Sequence, residues 1–381
     1  MYRRVQLHRR PRHPVPPDRE AVIKILLIAR PFAFHGGVER ATAGLVGALV
    51  ARGHDVHLAS AGASVPVPGV TLHPLRLPRL PAPARALLLT VVARRAAAAG
   101  RWDVVQSHER TLCQQVYRAG EGCHRAYLAS GARTGRRGLH HRVVLALEAR
   151  VFARTPRIVA IAQRGKREIE TLYGVSPARV SVIYNGVDLE RFHPANAAAH
   201  RAAARVEAGL APREHALLFV GSGFERKGLA TAIQALSWLG DAALIVIGRG
   251  DETRYRALAE RLGVASRLRW LGLRRDVERW YAAADVLVLP TCYEPFGNVH
   301  LEALASGLPV VTTTVAGGSE VVEEGKSGAV VAVGDAAALA TAVANLRESD
   351  PAVRAAARQA AEPFTYARQA GEFERLYREI P

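Results

Sequence analysis

Short apolar runs alternate with amphipathic stretches along almost the whole of this 381-residue chain, and that alternation admits few folds. Lys24-Ile25-Leu26-Leu27-Ile28-Ala29 is apolar nearly throughout, as a strand covered on both faces must be. A loop holding Gly36-Gly37 follows, then helical spacing over 38–52 and a second strand-like run at 54–59. Further strands are expected at 70–75, 103–108, 157–161 and 180–183, with an alanine-rich helix ending near residue 99. A second series opens at Ala216-Leu217-Leu218-Phe219-Val220-Gly221 and continues at 243–248, 268–271, 286–290, 309–312 and 329–333. Two parallel α/β sheets in succession are the reading, and the length suffices for two complete cores. The expected divisions are a basic, Pro- and Arg-rich disordered extension at 1–21, a first domain at 22–188, a linker region with a polar helix at 189–214, a second domain at 215–362 and a terminal helical segment at 363–381. That last helix is read over about 362–379, anchored by Phe364, Tyr366, Phe373 and Tyr377.

Open parallel sheets bind ligands beyond the carboxyl ends of their strands. One such place carries Glu294-Pro295-Phe296-Gly297-Asn298-Val299-His300-Leu301-Glu302, directly after the run Asp285-Val286-Leu287-Val288-Leu289-Pro290. Glu294 is expected in the loop, and Glu302 two turns further on at nearly the same angle around a helix. A pair of solvated helix charges is the plain alternative, since carboxylates are mostly exposed. Phe296, Val299 and Leu301 surround the pair, and Gly297-Asn298 marks a helix start whose free N–H groups suit a phosphate. Carboxylates that accept sugar hydroxyls, set beside an anion site, suggest a sugar nucleotide.

A second loop, Gly221-Ser222-Gly223-Phe224-Glu225-Arg226-Lys227-Gly228, also follows a strand and opens a helix. Its glycines let backbone approach an anion, and Arg226-Lys227 adds charge at the same point. It is not a Walker loop, in which Lys precedes Ser or Thr, and a plain strand-to-helix turn is the alternative. A nicotinamide cofactor would need an acid at the end of the next strand. That strand runs into Ile247-Gly248-Arg249-Gly250, which has none, and Asp241 lies on its wrong side. Arg249 is expected to line a nucleotide pocket. His108 ends a first-domain strand, where a polar group could serve a second substrate or simply be a satisfied structural histidine. Glu109 and Glu121 read as solvated surface acids.

The formal net charge of +18 calls for an anionic partner. Nucleic acid is one reading, against which stand the 6% aromatics and the lack of a zinc-finger or RNA-binding motif; an anionic membrane surface or a phosphorylated acceptor is the other, and the sign of the charge alone does not choose. The excess of Arg over Lys, with abundant Ala, also fits a GC-rich genome. No run of eighteen uncharged apolar residues exists, and the first twenty residues lack the apolar core of a secretory signal. Cys113, Cys123 and Cys292 are odd in number and dispersed, which suits a reducing cytoplasm; Cys113, Cys123 and His124 make at most a loose zinc set without a fourth ligand.

Taken together, Gly36-Gly37, Asn185-Gly186-Val187-Asp188, the loop 221–228, Ala283-Ala284-Asp285 and the paired glutamates resemble the family-four glycosyltransferases of the GT-B fold. Tyr117-Arg118-Ala119-Gly120-Glu121-Gly122-Cys123-His124, Leu147-Glu148-Ala149-Arg150-Val151-Phe152 and the 220–228 segment are similar to the lipopolysaccharide core glucosyltransferase I group. The resemblance implies two Rossmann-like domains facing across a cleft, with the terminal helix crossing back to the first. It implies retaining transfer of a hexose, foremost glucose from UDP-glucose, to an inner-core heptose of a lipid-linked acceptor at the cytoplasmic face of the membrane. Glu302 would then hold the ribose, Glu294 the sugar hydroxyls, and Arg226 and Lys227 the diphosphate. Gly221, Ser222, Phe296, Gly297 and the N–H groups of Asn298 and Val299 would complete the donor site, with Gly36-Gly37 opposite. No Asp-x-Asp pair occurs, so no metal or other cofactor is expected. UDP-N-acetylglucosamine, GDP-mannose or another surface glycan acceptor are the alternatives, as is an inactive scaffold binding a membrane or nucleic acid.

Overall fold

The computed structural model describes residues 21–32, 37–62, 64–131, 138–347 and 351–380. The expected extension at 1–21 falls, but for its last residue, outside them, as does Gly36. Strands β1 (Lys24–Ile28), β2 (Asp55–Ser60), β3 (Val70–Pro74), β4 (Val104–Ser107), β5 (Val116–Arg118), β6 (Arg157–Ala160) and β7 (Val180–Val182) form one sheet in the order β3-β2-β1-β4-β5-β6-β7. Strands β8 (His215–Val220), β9 (Ala242–Ile247), β10 (Leu268–Gly272), β11 (Val286–Leu289), β12 (Val310–Thr313) and β13 (Gly328–Val331) form the other, in the order β10-β9-β8-β11-β12-β13. Every pairing is parallel. The strand order reverses between β1 and β4 and again between β8 and β11, the switch points where such sheets open a crevice.

Helices cover both faces, which is why the strands read as unbroken apolar runs. In β8, Leu218 joins one core, while Leu217 and Phe219 join the other across the sheet. Burying each such side chain contributes about 1.5–3 kcal/mol. The short strand β5 and the helices His124–Ala129, Leu139–Arg154 and Gln163–Tyr173 complete the first domain beyond what the apolar pattern marks. Glu148, fully buried, accepts from the His124 and Arg125 backbone N–H groups at 2.8 and 3.2 Å and from Arg110 at 3.1 Å. It therefore fixes the start of one helix to the side of another.

In the stretch 189–214, the helix Asn196–Glu207 packs on the helix Val277–Ala283, and Phe192, Ala204 and Leu210 enter the core of the second domain. Asp285 holds this join: Arg201 donates to it at 2.6 Å and the Ala216 N–H at 2.9 Å. Burial favours the neutral acid there, but these donors and His215 hold its carboxyl below the usual range.

The terminal helix begins at Tyr366 rather than near 362. Pro363 interrupts the preceding helix, Pro351–Ala361, and Thr365 caps the new one by accepting from Arg368 N at 3.1 Å. The helix crosses to the first domain, where Ala370, Phe373, Leu376 and Tyr377 pack with Ile25, Leu27, Leu45 and Leu49. Tyr377 donates to Gln106 at 2.7 Å, and Arg52 to Glu374 at 2.6 Å. The two crossings of the chain between domains touch at Val187 N and Phe364 O, 2.8 Å apart.

Candidate active site

The carboxyl ends of both sheets face one interdomain cleft of about 290 Å³. Its second-domain wall comes from the ends of β8 and β9 and the loop after β11: Gly221, Ser222, Arg226, Lys227, Gly248, Glu294, Phe296, Gly297, Asn298, Val299 and Glu302. The first domain contributes Arg40, Arg118, Gly120, Ile161 and Asn185.

The loop 221–228 presses against the end of β11. Gly228 has φ +76°, and a side chain there would collide with the Pro290 carbonyl. That close approach carries Lys227 beneath Glu294: Lys227 Nζ lies 2.5 Å from Glu294 Oε2, and Arg226 Nη1 2.6 Å from the same oxygen. Arg226 also donates to the Tyr293 carbonyl at 3.0 Å. Burial would raise the Glu294 carboxyl, but Lys227 and Arg226 outweigh it and bring it down to about 2. For Lys227 burial prevails, and its ammonium sits below the usual value despite Glu294. Two cations and one carboxylate leave this triad a net charge of +1.

Glu294 is not at helical spacing from Glu302. The helix begins only at Val299, and Glu294 lies in an extended loop, bridged to Ala316, with its carbonyl accepting from Gly317 N at 2.9 Å. Gly297, at φ +81°, makes the turn between loop and helix. Glu302, 7% exposed, accepts from Tyr281 Oη at 2.7 Å. Burial dominates there, so its carboxyl is raised above the usual value.

Two expected residues stand elsewhere. Arg249 is exposed and outside the lining; its backbone N–H donates to Ser222 Oγ at 3.2 Å. Gly248 faces the cleft instead, packed so tightly on the Gly221 carbonyl that the chain leaves the wall one residue before Arg249. Gly37 opens the first helix, Gly37–Ala51. His108 lines a small neighbouring cavity, with Nε2 2.8 Å from Gln106 Nε2 and Nδ1 3.3 Å from Thr42 Oγ1. Its ring is engaged by these neighbours, and burial, with Arg118 nearby, keeps the imidazole neutral. Glu109 and Glu121 are half-buried and paired rather than free: Arg30 pairs with both, and Arg110 reaches Glu121 at 2.9 Å.

Four residues of this region escaped the pattern. Arg118 ends β5 and faces the cleft almost fully buried, donating to Asn185 Oδ1 at 2.6 Å. Asn185 in turn donates to Asn298 Oδ1 at 2.6 Å, across the domains. Tyr293 extends from the second domain into the first, where its hydroxyl accepts from Cys123 N at 3.1 Å and meets Glu168 Oε2 at 3.0 Å. Tyr281 holds Glu302. Asn185 and Arg118 lie inside motifs quoted above, but no spacing rule marks them or the two tyrosines as site residues. Among the described residues, no group of three or more His, Cys, Asp or Glu is placed to hold a metal ion.

Two Rossmann-like domains that turn their strand ends toward one another across such a cleft have the GT-B architecture. A family model described as "Glycosyltransferase Family 4" matches residues 35–191 and one described as "Glycosyl transferases group 1" matches 214–349, and the chain belongs to this glycosyltransferase family. It is 34% identical over 221 residues to a D-inositol 3-phosphate glycosyltransferase of Catenulispora acidiphila, covering 53% of this chain and 50% of that one. It is 32% identical over 184 residues to the lipopolysaccharide glucosyltransferase WaaG of Escherichia coli K12, covering 47% and 49%. The chain thus spans about half the length of the curated relatives it matches. The crystal structure of WaaG, a glycosyltransferase involved in lipopolysaccharide biosynthesis, superposes with a TM-score of 0.79 at 24% identity over 93% of this chain and 100% of that one. Anabaena HepE, in complex with UDP-glucose, superposes with a TM-score of 0.75 at 19% identity, over 94% and 100%.

Proposed function

We propose that the cleft binds a nucleotide sugar, foremost UDP-glucose, and transfers its hexose with retention to a lipid-linked glycan acceptor of the lipopolysaccharide inner-core type. The observation that carries this reading is the Arg226–Glu294–Lys227 triad, its lysine and glutamate buried, at the switch point of the second sheet. Departure of a nucleoside diphosphate builds negative charge, and fixed cations at that point stabilise it without reorganising. Lys227 and Arg226 supply that charge, together with the N–H groups of Asn298 and Val299. Glu294, held ionised, accepts hydrogen bonds from hydroxyls of the transferred sugar. Glu302 accepts from the ribose hydroxyls. In a front-face transfer the leaving phosphate oxygen takes the acceptor proton, so no side-chain base is required, and Lys and Arg stand in for a metal ion.

Similarity to the Escherichia coli glucosyltransferase supports the lipopolysaccharide acceptor; similarity to the inositol-phosphate enzymes supports a small phosphorylated acceptor as a second reading. Both are tested by measuring turnover of UDP-glucose, UDP-N-acetylglucosamine and GDP-mannose against truncated lipopolysaccharide and inositol 3-phosphate, with and without chelator. Glucose transfer to the lipopolysaccharide, unchanged by chelator, is expected. Transfer only to inositol 3-phosphate would move the acceptor assignment, and loss with chelator would mean a metal takes part.

Membrane association is part of the reading. Arg76, Arg79, Arg85, Arg94 and Arg95, along the helix Ala82–Ala98 and its approach, are exposed, and among the described residues none of them meets a carboxylate. Leu80, Leu87 and Val91 are exposed beside them. Such a face attracts anionic headgroups, and no helix among the described residues is long and apolar enough to cross a membrane. Binding to anionic liposomes should therefore weaken as salt rises. Salt-independent binding would indicate insertion.

A further inference from the structure

Arg118 and Arg110, eight positions apart in the first domain, are a buried and a half-buried arginine that are treated differently. Arg110 pairs with Glu121 at 2.9 Å and Glu148 at 3.1 Å. Arg118, 2% exposed, has one side-chain partner, the neutral amide of Asn185; its Nε is buried without an acceptor, and none of the groups acting on it electrostatically is a carboxylate. A buried guanidinium without a counterion is costly, and folds rarely retain one that nothing completes. Its fork sits over Gly120, where any side chain would collide with Nη1, so the glycine leaves it room at the cleft wall. Through Asn185 it is tied to Asn298, in the segment opposite.

We propose that Arg118 binds the diphosphate of the donor from the first-domain side and supplies the counter-charge that the Arg226–Glu294–Lys227 triad, at +1, leaves short. This rests on the nucleotide-sugar reading of the cleft. A diphosphate brings roughly two negative charges, and a planar fork of donors suits phosphate oxygens. Arg118 remains charged at neutral pH, because burial lowers it only to about 10.

The test is calorimetric titration of pyrophosphate, UDP and uridine into the full-length wild type, Arg118→Gln and Arg118→Lys, with melting curves taken without ligand. Arg118→Gln should weaken pyrophosphate and UDP by roughly tenfold to a hundredfold, leave uridine unchanged, and melt no lower than wild type. Arg118→Lys should recover part of the loss. Unchanged pyrophosphate affinity in Arg118→Gln would overturn the proposal whatever happens to the acceptor KM. So would a ligand-free melting point several degrees below wild type in both variants, which would make the residue structural. A wild type that binds pyrophosphate but no nucleotide would fail the nucleotide-sugar reading, while the Arg118 comparison would still be decided on pyrophosphate.

Discussion

The two walls of the cleft handle charge in opposite ways. On the second-domain wall, Lys227 and Arg226 are already neutralised in part by Glu294, and every member of the triad is locked by strand-end loops. On the first-domain wall, Arg118 is buried against a neutral amide. One wall is satisfied before a ligand arrives; the other is completed only by it. The difference separates two ways of holding a diphosphate: the triad presents fixed, partly neutralised cations, while the arginine without a carboxylate adds a further charge from the opposite wall. It also gives opposite expectations for stability when each wall is mutated.

The largest effects should come from the triad. Glu294→Ala and Lys227→Ala should each lower turnover about a hundredfold to a thousandfold, measured as donor-dependent nucleotide release, with circular dichroism at 25 °C unchanged. Their melting points should differ. Glu294→Ala strands two cations together, which costs about 3–5 kcal/mol, whereas Lys227→Ala leaves Glu294 paired with Arg226. Equal melting points for the two variants would break the picture of a self-neutralised wall.

Next is the bridge between the walls. Tyr293→Phe removes the hydroxyl that meets Cys123 and Glu168 in the first domain, one residue before Glu294. A loss of about 1 kcal/mol in stability is expected, with kcat falling and UDP affinity little changed. A change confined to affinity would mean the tyrosine serves the donor rather than domain register.

The pH dependence should distinguish the two glutamates. The Glu294 carboxyl, at about 2, lies below its ordinary 4.5, so its stabilising contribution is full above 4.5 and is lost as pH falls toward 2. Glu302 is raised, so it takes up a proton first as the solution is acidified, and its own contribution to stability is lost as pH rises through its folded value. UDP affinity should therefore weaken in mild acid in wild type and become flat in Glu302→Gln. The same acid limb in Glu302→Gln would assign the titration elsewhere.

The smallest effect should be that of His108→Gln. The ring stands in the neighbouring cavity, engaged by Gln106 and Thr42, so turnover should fall less than tenfold, about 1.4 kcal/mol. A thousandfold loss would return it to the reacting centre.

The parallel sheets were readable because strands covered on both faces must be apolar throughout, as in Leu217 to Val220 of β8. The loops holding Glu294 and Lys227 were readable because they follow such strands. The angle between Glu294 and Glu302 was not, because Gly297 turns the chain before the helix starts and the residue count then carries no helical phase. Arg249 was misplaced by one residue for a similar reason: Gly248 packs on Gly221, a contact between loops distant in sequence. Arg118 was out of reach because β5 is three residues long and shows no period, and because whether an arginine is paired depends on which carboxylates the fold brings near. The late start of the terminal helix, by contrast, was written in Pro363 and Thr365.

The central claim is that this cleft is a nucleoside diphosphate site built on the triad. Its most direct test is titration of UDP, in the presence of chelator, into wild type and Lys227→Ala. Saturable binding at one site in wild type, weakened about a hundredfold or more in Lys227→Ala, is the predicted result. No binding in wild type, or equal binding in both proteins, would contradict it.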